Sequence, residues 1–135
     1  MLSGIFFNID TVTLSELSGN QLQISALVLL NPSHQIFQGH FPGNPVVPGV
    51  CQIQMIKELI EQGIKKTIRL TESDNIKFLL MINPLEIPRL KFDILIKKLS
   101  EKQFTATATI SYESSLFLKF KGKFEDVPDI ALSKI

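Results

Sequence analysis

The chain has 135 residues, of which 44% are apolar and 20% charged. That suits one domain spanning residues 1–135 with a core of its own, and it excludes a disordered chain. Its 14 Lys and Arg against 13 Asp and Glu leave a net charge of +1, without the basic field that nucleic acid requires. The one cysteine, Cys51, admits no internal disulfide, and no Cys/His pair has zinc spacing. The first ten residues, MLSGIFFNID, lack the basic start and long apolar stretch of a signal peptide. No run approaches the about 18 apolar residues of a membrane span. The expectation is a cytoplasmic protein with neither a membrane nor a nucleic-acid partner.

In chain order, residues 5–14 are rich in Phe, Ile, Val and Thr and predict a strand. Ser18-Gly19-Asn20 supplies turn chemistry, and residues 22–30 return as the second strand of a hairpin. Asn31-Pro32-Ser33 ends it, since proline cannot donate to a ladder. Residues 34–49 form a loop that holds Gly39, Pro42, Gly43, Pro45, Pro48 and Gly49, a density that fixes the backbone path. A helix is expected over 48–66. Val50, Ile53, Ile56, Ile60 and Ile64 recur at three- and four-residue steps as its apolar face, which Met55 and Leu59 broaden, and Gln54, Lys57, Glu58, Glu61 and Lys65 form its polar stripe.

Four further strands are expected, over 76–82, 90–99, 104–112 and 116–124, with a break from Asn83-Pro84 to Pro88. The last residues are expected to form a loose tail. The Phe residues at 78, 92, 104, 117, 120 and 124 suit core packing rather than the lining of an apolar tunnel, and the lysines at 65, 66, 97, 98, 119, 121 and 123 suit solvated strand faces rather than the docking of an acidic partner. Glu58 and Glu61 are expected to be solvated or paired with Lys57 and Lys65. His34 is expected to face solvent or lie in a turn, and Cys51 to be an inert small apolar residue. The architecture is α+β, with an antiparallel sheet wrapped around one long helix.

The loop reads Phe37-Gln38-Gly39-His40-Phe41-Pro42-Gly43-Asn44-Pro45-Val46-Val47-Pro48-Gly49-Val50. It resembles the signature of bacterial β-hydroxyacyl-acyl-carrier-protein dehydratases of the hot-dog family: GHFPG, a variable residue, a proline, two apolar residues and PG, leading into the central helix. The order strand, loop, helix, strands fits as well. Residues 76–78 followed by Pro84 are similar to the family's strand before a PVLPGD-like turn, although the Gly-Asp of that turn is absent here. The resemblance implies a hot-dog fold, with a 3-hydroxyacyl thioester of acyl carrier protein or coenzyme A as substrate in fatty-acid or related lipid synthesis. It implies a homodimer, or an oligomer of dimers, whose sites lie across the interface, and no metal or organic cofactor.

Dehydrating such a thioester needs a base at C2, an acid for the departing C3 hydroxyl and a grip on the enolate oxygen. His40 suits the base, since imidazole titrates near neutral pH. Gly49, at the mouth of the helix, offers a backbone amide to the thioester oxygen, the role of the matching glycine in the family. Phe41, Pro42, Val47, Pro48 and Val50 are the expected substrate-binding residues. The family places Asp or Glu fourteen residues after the histidine, where this chain has Gln54. A carboxamide hydrogen-bonds but has no proton to give near neutral pH. Three readings stay open. His40 acts alone, which also suits a double-bond shift; Glu58 serves directly or through water; or the domain only binds acyl chains, as an inactive partner in a heterodimer. A hot-dog thioesterase ranks last, because those enzymes do not carry this loop.

Overall fold

In the computed structural model, residues 1–39, 43 and 45–128 are described, with the backbone alone at Gln38 and Gly39. Six strands form one antiparallel sheet: β1 (Phe7–Ser18), β2 (Gln21–Leu30), β3 (Ile68–Phe78), β4 (Arg89–Lys98), β5 (Gln103–Tyr112) and β6 (Ser115–Asp126). Their order is β1-β2-β4-β5-β6-β3. The short helix α1 (Ile36–Gly39) interrupts the expected loop, and the long helix α2 (Gly49–Ile64) packs on β2, β3 and β4. The long helix and five strands lie within a few residues of expectation.

Alternation explains the sheet. Ile24, Ala26, Val28 and Leu30 of β2, Leu90, Phe92, Ile94 and Ile96 of β4, and Phe104, Ala106, Ala108 and Ile110 of β5 are all buried at every second position. The register sets small residues beside large ones, with Ala26 opposite Phe92 and Ala108 opposite Phe120. Each fully buried large apolar side chain contributes about 1.5–3 kcal/mol. Phe92, Phe104, Phe117, Phe120 and Phe124 all lie in the core, so packing accounts for five of the six phenylalanines singled out above.

The long helix buries the expected apolar face at Met55, Ile56, Leu59 and Ile60, with Ile53 and Ile64 packed against the core, and departs from it at Val50. Its buried residues are Cys51, Gln52, Met55, Ile56, Glu58, Leu59 and Ile60, while Val50 is 76% exposed. The chain ends α2 in a left-handed residue, Lys65 (φ 57°, ψ 46°), whose N–H donates to the Glu61 carbonyl.

The strand expected over 76–82 is instead β3, which begins at Ile68 and stops at Phe78. Periodicity hid it for a physical reason. It is an edge strand paired only with β6, mostly solvent-facing, and its pairing slips between Leu70 and Glu72 and between Ser73 and Asn75. The apolar run Leu79-Leu80-Met81 that follows is exposed, not a buried strand.

Gly122 on β6 lies where this bulged edge comes closest. A Cβ there would stand 2.8 Å from the Glu72 carbonyl oxygen and 2.8 Å from the Phe120 ring. Backbone cannot yield as a side-chain tip does. Gly122→Ala is therefore expected to lower stability by about 1–3 kcal/mol, read as a drop in the urea midpoint at unchanged slope.

Candidate functional site

The start of α2 is organised by the chain before it. Val47 is 1% exposed, its N–H donates to the Ile82 carbonyl at 2.9 Å, and its own carbonyl accepts from Gln52 Nε2 at 3.2 Å. Pro48 then occupies the N-cap with extended dihedrals (φ −61°, ψ 147°) and no side-chain cap. The first hydrogen bonds of the turn are those from Cys51 and Gln52 to the Pro48 carbonyl, at 3.0 and 3.1 Å. The amides of Gly49 and Val50 precede them, at the positive end of the helix dipole.

Gly49 is also a point of close approach. An added Cβ would fall 2.7 Å from Cζ of Phe78, whose ring is 52% exposed. Phe78 is thus the phenylalanine that stands at the helix mouth instead of in the core. Proximity along the sequence gave no hint of it, because the topology alone brings the end of β3 to the start of α2.

Gln54 lies one turn into α2, half-buried, and its Nε2 donates to Glu58 Oε2 at 2.9 Å. Glu58 is neither solvated nor paired with lysine as expected. It is 3% exposed and accepts the Leu2 N–H at 3.0 and 2.8 Å through its two oxygens and the Ser3 N–H at 2.8 Å. Glu61 departs from expectation as well, its Oε2 accepting the Ile68 N–H at 3.0 Å. Both carboxylates anchor backbone instead of meeting lysine. The signal that periodicity missed is that α2 has a second contact side, covered by the residues before β1.

The remaining side chains divide clearly. Gln52 is 3% exposed, in the middle of the sheet-facing side of α2, and its Oε1 is buried with no partner among the described residues. His34 Nδ1 accepts the Ile36 N–H at 3.1 Å and its ring stands edge-on to Phe6, as a turn residue would. A cavity of about 330 Å³ opens at the other end of α2, over Leu22, Ile64, Ile96 and Phe104, away from Gly49. No group of three or more His, Cys, Asp or Glu among the described residues is placed to hold a metal.

Of the residues singled out by sequence, Gly49, Val50 and Gln54 occupy the first two turns of α2, with Pro48 as its cap. Val47 is turned inward and Val50 outward, so the two do not share a wall. His40, Phe41 and Pro42 lie outside the described residues, as do Asn44 and residues 129–135, on which the expected tail falls.

Cys51, beside Gly49, is buried, and burial pushes its thiol above the ordinary range. The folded state favours the protonated form, so this contribution to stability is present below the unfolded thiol pKa and fades as pH rises through the folded one. At pH 8 the native protein is expected to react with iodoacetamide at least about tenfold more slowly than the urea-unfolded chain, measured by intact mass.

Comparison with known proteins adds a family. Residues 16–117 match the family model described as ApeI-like, ApeI dehydratase. A 3-hydroxyacyl-[acyl-carrier-protein] dehydratase FabZ of Caulobacter sp. is 29% identical over 103 residues, covering 70% of this chain and 63% of the relative. The chain therefore spans less than two thirds of that curated relative. Among solved structures, the dehydratase heterocomplex ApeI:P from Xenorhabdus doucetiae superposes with a TM-score of 0.56 at 18% identity, covering 84% of this chain and 94% of that one. The fluoroacetyl-CoA thioesterase FlK does so with a TM-score of 0.68 at 4% identity, covering 89% and 95%. The fold is the hot-dog fold.

Proposed function

The chain belongs to the ApeI-like dehydratase family, and from that premise we propose that it dehydrates 3-hydroxyacyl thioesters carried on acyl carrier protein or coenzyme A. The observation that carries this reading is the mouth of α2, where a helix without a side-chain cap presents the first amides of Gly49 and Val50 with Gln54 one turn behind. A thioester carbonyl held by the Gly49 amide gains most as negative charge develops on its oxygen, when the C2 proton leaves.

His40 is the base that takes that proton. Gln54 has none to supply, so the same imidazole returns the proton to the C3 hydroxyl, which departs as water while the C2–C3 double bond forms. Glu58 is poorly suited to replace the missing acid, since its carboxylate already accepts from two backbone amides and from Gln54. A general acid contributes about 10² to 10⁴ in rate, so one-base dehydration is slow. His40→Ala is expected to abolish formation of enoyl product from a 3-hydroxyacyl thioester. Gln54→Glu is expected to raise it about 10²-fold or more, both measured by mass spectrometry of the acyl product. Activity that survives His40→Ala sinks the assignment.

A second reading is favoured by the amide at position 54. The chain binds acyl thioesters and works beside a homologous partner that brings the carboxyl group. Either reading needs a second hot-dog subunit. The surface that suits it carries Val50, Phe78, Leu79, Leu80, Met81 and Leu85, all at least 45% exposed and continuous with the free edge of β3. Leu80→Lys combined with Met81→Lys is expected to leave the far-UV spectrum unchanged and shift the protein from dimer to monomer by light scattering. A dimer that survives both charges places the interface elsewhere.

A further inference from the structure

The buried carboxylate on α2 has a task that neither reading assigns to it. Four hydrogen bonds converge on Glu58: two from the Leu2 amide, one from the Ser3 amide and one from Gln54 Nε2. Main-chain amides only donate, so the oxygens they meet act as acceptors. A Gln54 rotated end for end would bring its carbonyl oxygen to the Glu58 oxygen at the same 2.9 Å, with no proton between them. That orientation is repulsive, and the amide is held in the other one. Its NH2 group turns toward Glu58 and its carbonyl oxygen turns away, on the half-exposed side of the helix.

We propose that Glu58 is a positioning residue that locks the Gln54 amide so that its carbonyl oxygen faces the bound acyl chain, selecting chains that carry a hydroxyl at C3. The claim rests on the thioester reading above, and it concerns which thioester is held. An acceptor oxygen at this point hydrogen-bonds a C3 hydroxyl. It repels a C3 ketone, whose oxygen also only accepts, and it gains nothing from a saturated chain. The sequence change from carboxyl to carboxamide at position 54 then keeps the recognition of the leaving hydroxyl while removing its proton source. Leu2 and Ser3 belong to the same device, because their amides hold the carboxylate against α2 and prevent it from turning toward solvent.

The test is a ratio of affinities measured by calorimetry with 3-hydroxyoctanoyl-, 3-oxooctanoyl- and octanoyl-coenzyme A, in a His40→Ala background that silences turnover. With Glu58 and Gln54 in place, the hydroxyacyl ligand is expected to bind about fivefold more tightly than either of the others, the effect of one net hydrogen bond. Glu58→Gln is expected to abolish that preference, because the amide now at position 58 donates toward Gln54 and lets it turn round. Gln54→Glu combined with Glu58→Gln is expected to restore it, since the acceptor stands again at position 54. A merely structural Glu58 would alter the number of folded sites and leave the ratio unchanged. Where Glu58→Gln fails to fold, Gln54→Met leaves the Leu2 and Ser3 contacts intact and is expected to lose the preference likewise. Equal affinity for all three ligands before any change at 54 or 58 overturns the proposal while the thioester reading stands, as does a preference that survives Gln54→Met. Failure to bind any of them overturns both.

Discussion

A single sheet can cover only one side of a helix, and this protein is shaped by what happens to the other side. The sheet-facing side of α2 is served by Met55, Ile56, Leu59 and Ile60 against strands β2, β3 and β4. The side turned away carries Val50, Gln54 and Glu58, and the chain closes part of it by laying residues 2 and 3 across Glu58. A charged group buried at a contact needs its hydrogen bonds satisfied, and the backbone amides of Leu2 and Ser3 supply them. The segment near Val50 stays open. Closed and open portions of the same helix are therefore separated by a single turn, and Gln54 sits at the boundary.

The approach to the helix mouth is tied down from two sides. Val47 is tied to Ile82 and to Gln52, which fixes the approach to Pro48, and Pro48 itself supplies no side-chain acceptor. The first amides of the helix therefore have no side-chain cap. Gln52 gives its amide to Val47, and its Oε1 is buried with no partner among the described residues.

The fold was largely legible before any coordinates. Strands β2, β4, β5 and β6 announce themselves because each has one buried face, and a period of two survives in their side chains. The helix was legible for the same reason, and its apolar face was read correctly except at Val50. Val50 has the right spacing for an apolar face and the wrong surroundings, being placed before the sheet begins to cover the helix. The edge strand β3 was illegible over most of its length, since Arg69, Glu72, Asp74 and Asn75 face water and two slips in pairing destroy the alternation. Of the site, the loop motif and the glutamine fourteen residues after its histidine could be read directly. The partners of Glu58 could not, because a contact across 55 or 56 residues leaves no trace in local periodicity.

The irregular edge has a further meaning for assembly. A straight, evenly spaced strand with free amides will accept almost any extended peptide, including the wrong one. With bulges after Leu70 and after Ser73, β3 offers its donors and acceptors at uneven intervals, and only a strand carrying matching kinks can satisfy them all. Fibril-like stacking of identical copies in simple register is thereby disfavoured.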